Sequence, residues 1–246
     1  EDSASGGHGF PIKPYSADIV PFIKEIFNDK APEEFITWAN ELTNKPESNS
    51  VASSVKTEKA QAGFSRAAIN AVKNKKPVFS VSSDLQGSTG MAAFQQECPN
   101  NFLDVGIAES NMVSTAAGMS KAGFIPVVDT FAAFGVTKGN LPHIMASLSS
   151  CPMIAVYSHT GFQDAADGAS HQSTTYISAV SSIPYSKTVV VSTSTEAESL
   201  MTQAIDKIES DRLEGRAGES FFFFVGRENY PVNLGENLRY ELGKAQ

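Results

Sequence analysis

The stretch "DVGIAESNM" places one carboxylate, Glu109, between a short apolar strand pattern and a run of small residues with helical character. A carboxylate in that position has two uses. It complements the dipole of the helix it opens, or it lies buried with a raised pKa and points at a ligand nitrogen. Phe131 and Phe134 in "DTFAAF" share the ambiguity: at i and i+3 they pack into a core or stack on a flat heterocycle. His159 and His171 stand twelve residues apart in the Gly/Asp-rich "SHTGFQDAADGASHQ". That is not a zinc spacing, so the two imidazoles are loop residues or proton handlers. Taken singly, Arg66 is a helix-face arginine, Ser88 a helix cap and Arg227 a surface arginine.

The elements around these residues alternate. "SADIVPFIKEIF" (16–27) and "APEEFITWANEL" (31–42) read as two short helices, the second with Pro32 near its first turn. Residues 43–56, rich in Ser, Asn, Lys and Pro, read as a linker. One helix is then predicted across 58–76 from the stripe Phe64, Ala68, Ile69 and Val72. Strand "PVFSVSSD", strand "NFLDVG", helix "AESNMVSTAAGMSKAG", strand "FIPVVDT", a helix through "PHIMASLSS" and strand "PMIAVYSH" follow. A loop, a helix from about His171, strand "KTVVVST", a helix over 194–212 and strand "ESFFFFVG" complete the series. Short apolar strands separated by helices predict a doubly wound α/β domain, a parallel sheet covered on both faces. The Gly and polar clusters fall where strands end, the edge at which such sheets bind ligands.

Composition narrows the function. A net charge of −8 without a basic stripe argues against nucleic acid. No apolar run reaches a membrane span. There is no dinucleotide fingerprint, P-loop or nucleophile elbow. Cys98 and Cys151 are far apart and read as buried thiols of a reducing compartment, so a cytoplasmic location is expected. The chain opens at Glu1 with neither Met nor a signal-peptide pattern.

"SSDLQGS", "DVGIAESNMVSTAAGM", "FIPVVDTFAAF" and "SHTGFQDAADGASHQ", in this order and spacing, resemble the middle domain of transketolase. That domain binds the pyrimidine ring of thiamin diphosphate. "GGHGFPIKPYSADI" is similar to the tail of the family's first domain, which binds the diphosphate, and "YELGKAQ" to the opening of its third. The resemblance implies a piece of a longer transketolase: 1–56 as first-domain tail and linker, 57–232 as the pyrimidine-binding domain, 233–246 as the connection onward. It implies transfer of a two-carbon ketol unit from a ketose phosphate to an aldose phosphate, in a homodimer, with magnesium held by the first domain rather than by this chain.

Roles carry over by position. Glu109 matches the glutamate that bonds the pyrimidine ring nitrogen, Phe131 and Phe134 the aromatic wall around that ring, and Asp84 an aspartate near the thiazolium. His159, Asp167 and His171 match substrate-channel residues, Asp167 reading hydroxyl configuration. Arg66, Ser88 and Arg227 match a phosphate cradle, a task suited to guanidinium forks, and His8 matches a first-domain histidine near diphosphate and substrate. His143 matches no functional position. The sequence departs from the family after Phe134, at Ala166 and at Ser110. Alternatives on the same plan are a deoxyxylulose phosphate synthase, the small subunit of a keto-acid dehydrogenase, or a non-catalytic interaction subunit.

Overall fold

The computed structural model describes residues 15–44, 55–164, 167–235 and 238–245. The chain divides into two compact units, 1–54 and 55–246.

The first unit is a helical hairpin. Helices α1 (Ile19–Ile26) and α2 (Glu33–Thr43) are joined by a turn in which Asn28 and Asp29 take left-handed backbone angles. The Phe27 and Phe35 rings meet at 5.3 Å across the turn. Pro32 is the residue before α2, at φ −54° and ψ 145°, rather than inside its first turn. Proline suits a helix entry because its φ is fixed near the helical value and it has no N–H to leave unpaired.

The second unit contains a six-stranded sheet in which every neighbouring pair is parallel. Its elements are β1 (Thr57–Lys59), α3 (Ala62–Lys73), β2 (Val78–Ser82), α4 (Gln86–Thr89), α5 (Ala92–Glu97), β3 (Phe102–Asp104) and α6 (Glu109–Lys121). These are followed by β4 (Ile125–Phe131), α7 (Ala132–Gly135), α8 (Asn140–Leu148), β5 (Ile154–Ser158) and α9 (Tyr176–Val180). Last come β6 (Ser186–Val190), α10 (Ser194–Leu213), β7 (Ser220–Phe224) and β8 (Asn229–Pro231). The sheet order is β3-β2-β4-β5-β7-β6. The chain steps outward from β2 to β3, then returns to the far side of β2 with β4. The reversal between β2 and β4 opens a crevice at the strands' carboxyl ends.

Both faces of the sheet are covered. The run "SFFFF" shows why, because side chains alternate along a strand. Phe221 and Phe223 face a cluster with Phe64 and Ala68 of α3, Phe94 of α5 and Met201 of α10. Phe222 and Phe224 face Met112, Val113 and Ala116 of α6 and Val180 of α9. Each fully buried aromatic ring contributes roughly 2–3 kcal/mol. Helices α3 and α10 approach closely at Gly63, where an added Cβ would lie 2.0 Å from the Ser194 carbonyl oxygen. Cys98 and Cys151 are both free and buried. Among the described residues no helix is long and apolar enough to cross a membrane.

Two readings of the sequence need correction. The helix predicted over 58–76 is strand β1 followed by α3, because Thr57–Lys59 pairs antiparallel with Asn229–Pro231, a partner that arrives from the far end of the domain. The helix predicted from His171 starts at Tyr176; His171 instead closes a short 3-10 turn, Gly168–Ser170.

Candidate functional site

Four of the predicted rings meet at the carboxyl edge of the sheet. Phe131 ends β4 and Phe134 lies in α7, with ring centroids 6.1 Å apart and planes 19° from parallel. His159 stacks on Phe131 at 3.9 Å. His171 meets Phe134 edge-on at 5.0 Å and Phe131 at 6.0 Å. Such pairs contribute about 0.5–1.5 kcal/mol each beyond their burial. The loop that brings the histidines together is closed at its neck: Gly161 and Ser173 exchange backbone hydrogen bonds of 2.7 and 3.0 Å. His159 directly follows β5 with a left-handed φ of 61°, which turns its ring back over the strand end.

The His159 ring is buried, and its Nδ1 lies 2.8 Å from the Ser158 hydroxyl. Burial first, then the Arg227 and Lys59 cations, push its pKa down to about 4, against the opposing pull of Asp164 and Asp167. His159 is therefore neutral at pH 7 and offers a lone pair or an N–H, not a charge. The half-buried His171 has its Nδ1 2.9 Å from the Ser170 hydroxyl. Asp167, exposed, precedes the 3-10 turn of the same loop.

Glu109 is the first residue of α6, where it opens the helix, and it is only 8% exposed. The helix start is tied to the segment after α7 by Ser110, whose hydroxyl donates to the Lys138 carbonyl at 2.6 Å. Beside it stands Tyr157, whose phenol is pushed up by burial first and by the Glu109 and Asp129 charges second. The Tyr157 hydroxyl lies 2.5 Å from Nε2 of His143, a fully buried imidazole whose pKa burial lowers to about 3. Gly135 is required here, since a Cβ would meet the Tyr157 ring at 2.5 Å.

Asp84 follows β2 at the crevice, exposed, with a left-handed φ of 60°. Its backbone N–H donates to Asp104 Oδ1 at 3.1 Å, and the same oxygen accepts from the Gly106 N–H at 2.8 Å. One carboxylate thereby ties the ends of β2 and β3 together.

The three residues expected to form a phosphate cradle are not all brought to one cleft. Arg66 and Ser88 line a cleft of about 320 Å³ between α3 and α4, and Arg227 is not among its walls. Arg66 is ion-paired to Glu198 at 2.6 Å and to Glu58 at 3.0 Å. Arg227 is ion-paired at 2.5 Å to Asp164, which is fully buried. The Gln163 side chain accepts from the Arg227 N–H at 2.8 Å and donates to the Tyr230 hydroxyl at 2.6 Å, fixing that loop further. His8 and Ala166 lie outside the described residues.

Sequence reasoning missed Asp164, Gln163 and Asp129. Asp129, fully buried in β4, accepts hydrogen bonds from Thr89 at 2.6 Å, Ser82 at 2.9 Å and Ser80 at 3.5 Å. Burial raises its pKa to about 7 despite those bonds. A lone acid inside the apolar run "FIPVVDTF" was the available signal. Among the described residues no group of three or more His, Cys, Asp and Glu side chains is set to hold a metal ion.

Residues 57–213 match the family model of the transketolase pyrimidine-binding domain. The chain is similar to a putative transketolase C-terminal section of Methanocaldococcus jannaschii, 33% identical over 125 residues, 50% of this chain and 39% of that protein. It is also similar to 1-deoxy-D-xylulose-5-phosphate synthase of Mycolicibacterium gilvum, 29% identical over 123 residues, 50% of this chain and 19% of that protein. The matched stretch is well under half the length of either relative. The fold resembles a split-gene transketolase solved as an inactive β4 tetramer, with TM-score 0.62 and 21% identity, over 76% of this chain and 57% of that one. It also resembles transketolase from Campylobacter jejuni, with TM-score 0.62 and 18% identity, over 74% of this chain and 27% of that one.

Proposed function

We propose that this chain, which belongs to the transketolase pyrimidine-binding domain family, supplies the pyrimidine half of a thiamin diphosphate site in an enzyme that moves a two-carbon ketol unit from a ketose to an aldose. The observation that carries this reading is the wall of Phe131, Phe134, His159 and His171 at the carboxyl edge of the sheet.

The described residues fit the pyrimidine half of such a cofactor. Phe131 and Phe134 present nearly parallel rings to a flat heterocycle. Glu109 is a buried residue at the start of α6, and its carboxyl accepts no hydrogen bond from another described residue. A buried carboxyl of that kind is suited to a ring nitrogen, where one proton shared between the two groups satisfies both. When bound, thiamin diphosphate supplies the carbon nucleophile and the electron sink for cleaving the sugar's carbon–carbon bond.

In this reading Glu109 holds a proton at the pyrimidine nitrogen. Phe131 and Phe134 orient the ring and exclude water. His159, neutral at pH 7, accepts a proton from a sugar hydroxyl, and His171 handles a second hydroxyl from the other side of the wall. Asp167 reads the configuration of the acceptor, and Asp84 stands near the thiazolium at the interface of a homodimer. Residues 57–232 form the pyrimidine-binding domain; magnesium and the diphosphate are held by a separate domain that includes His8.

Glu109→Ala in the assembled enzyme is expected to lower ketol transfer on the order of 10²–10⁴-fold with an unchanged circular dichroism spectrum. Retained turnover would sink the role given to Glu109. The synthase relative supports a second reading, in which pyruvate rather than a ketose is the donor. Turnover with pyruvate and none with a ketose would select it.

A further inference from the structure

Asp129 has no part in the chemistry proposed above, and its surroundings give it another task. It is fully buried on β4, at a residue that pairs with Ser82 of β2 on one side and Val156 of β5 on the other. A carboxyl mounted there is held by the sheet. Its Oδ2 accepts from Thr89, the last residue of α4, at 2.6 Å and from Ser82 at 2.9 Å. Ser82 Oγ also lies 3.3 Å from Oε1 of Gln86, the first residue of α4. One carboxyl oxygen thus reaches both ends of the helix, directly at Thr89 and through Ser82 at Gln86. Thr89 is itself fully buried, so water does not compete for its bond.

The helix needs such ties. Its four residues make a single turn, which does not hold itself together in water. Within it the Ser88 and Thr89 N–H groups share one acceptor, the Leu85 carbonyl, at 2.8 and 2.9 Å. On the side away from the sheet the corner is packed. Gly90, with a left-handed φ of 92°, presses against Gln61, and a Cβ there would lie 2.5 Å from the Gln61 Cβ. The buried Gln61 amide adds no tie, since neither of its ends has a hydrogen-bond partner. Ser65 of α3 fastens the chain beyond the helix by donating to the Gly90 carbonyl. What α4 contributes is Gly87 and Ser88, which line the cleft that Arg66 lines from α3. A slip of α4 by roughly an ångström would take Ser88 out of hydrogen-bond reach of a group held by Arg66.

We propose that Asp129 is a positioning residue, the buried anchor that fixes α4 and so sets Ser88 relative to Arg66 for the end of the sugar remote from the ketol unit. The proposal rests on the ketol-transfer reading for the sugar, and on the hydrogen bonds for the anchor. Asp129 acts through Thr89 and Ser82 and touches neither sugar nor cofactor.

Two measurements test it, both on Thr89→Val, which keeps the shape of the side chain and deletes its hydroxyl. In the chain itself, hydrogen exchange of the amides at 88 and 89 is expected to quicken tenfold or more. Exchange in β5 and α8 is expected to stay within twofold of the unsubstituted chain, and Thr89→Ser to restore the slow rate at α4. Unchanged exchange at α4 overturns the proposal. Equal quickening in β5 also overturns it, because the bond would then serve the core at large. In the assembled holoenzyme, Thr89→Val is expected to raise KM for a pentulose 5-phosphate at least fivefold, with kcat and the Kd for thiamin diphosphate within twofold. The loosened grip is one that ground state and transition state share. Thr89→Ser is expected to recover the original KM. A fall in kcat at unchanged KM, or unchanged kinetics, overturns the proposal. If the unsubstituted holoenzyme turns over no sugar while the exchange results hold, the ketol-transfer reading fails and the anchor stands.

Discussion

The aromatic wall and the α3–α4 cleft lie on the same domain and were read from the same kind of motif, yet they relate to their sequence differently. The wall is made by neighbours: Phe131 and Phe134 are three residues apart, and His159 and His171 belong to one closed loop. The cleft is made by strangers. Arg66 meets Glu198 from α10, 132 positions away, and Arg227, which is not among the cleft's walls, is taken up by Asp164 across 63. A ring's role is set by its shape and survives changes around it. A cation's role depends on which anions the fold delivers, and those anions are invisible in the cation's own motif.

That contrast can be broken at several points. Phe131→Ala removes the ring that both histidines touch and is expected to destabilise the domain by about 3–5 kcal/mol, read as a lowered urea midpoint. Much smaller losses would mean the wall is not a packed unit. Asp164→Ala is expected to destabilise by about 2 kcal/mol, less than for a fully buried pair because Arg227 is a third exposed, and to free Arg227. Tighter phosphate binding by that variant would show that the anion, not the arginine, sets the charge of the site.

The pH dependence sharpens the comparison. The folded pKa values of His159 and His143 lie at about 4 and about 3, below the ordinary 6.5. The unfolded chain takes up those protons first, so each histidine makes stability rise with pH, up to about 6.5. Asp129 acts with the opposite sign: its folded pKa of about 7 lies above 3.8, so the folded chain keeps the proton and stability falls between those values. Between pH 4 and 6.5 these three groups leave a net rise of about 1.4 kcal/mol per pH unit. His159→Phe is expected to flatten this slope and Asp129→Asn to double it, both measurable by urea melts at stepped pH. The smallest effect is Arg66→Met, under about 1 kcal/mol, because its ion pairs are partly exposed.

Much of the fold was legible. The six parallel strands follow from short apolar runs, and the alternating burial of Phe221 to Phe224 is the period of a strand covered on both sides. Glu109 at the first turn of α6 was legible from the small-residue helix behind it. Strand β1 was not, because three residues with no apolar pattern become a strand only when β8 pairs with them. Asp129 was missed for a related reason: its donors Ser80, Ser82 and Thr89 come from β2 and α4, and nothing near position 129 announces them. Gln61 carried no signal of its own, since an unpaired amide is a property of its surroundings.

The sheet order has a consequence for synthesis. Strand β7 is the last of the six to be made, yet it lies between β5 and β6. Within the sheet β6 pairs with β7 alone. A growing chain that has reached α10 therefore holds a four-stranded sheet with an open side and a waiting strand that cannot dock. The lock closes only when the four phenylalanines emerge from the ribosome and slide into the gap. Until then the edge of β5 that β7 pairs is open and the apolar side chains on either side of it lack their β7 neighbours.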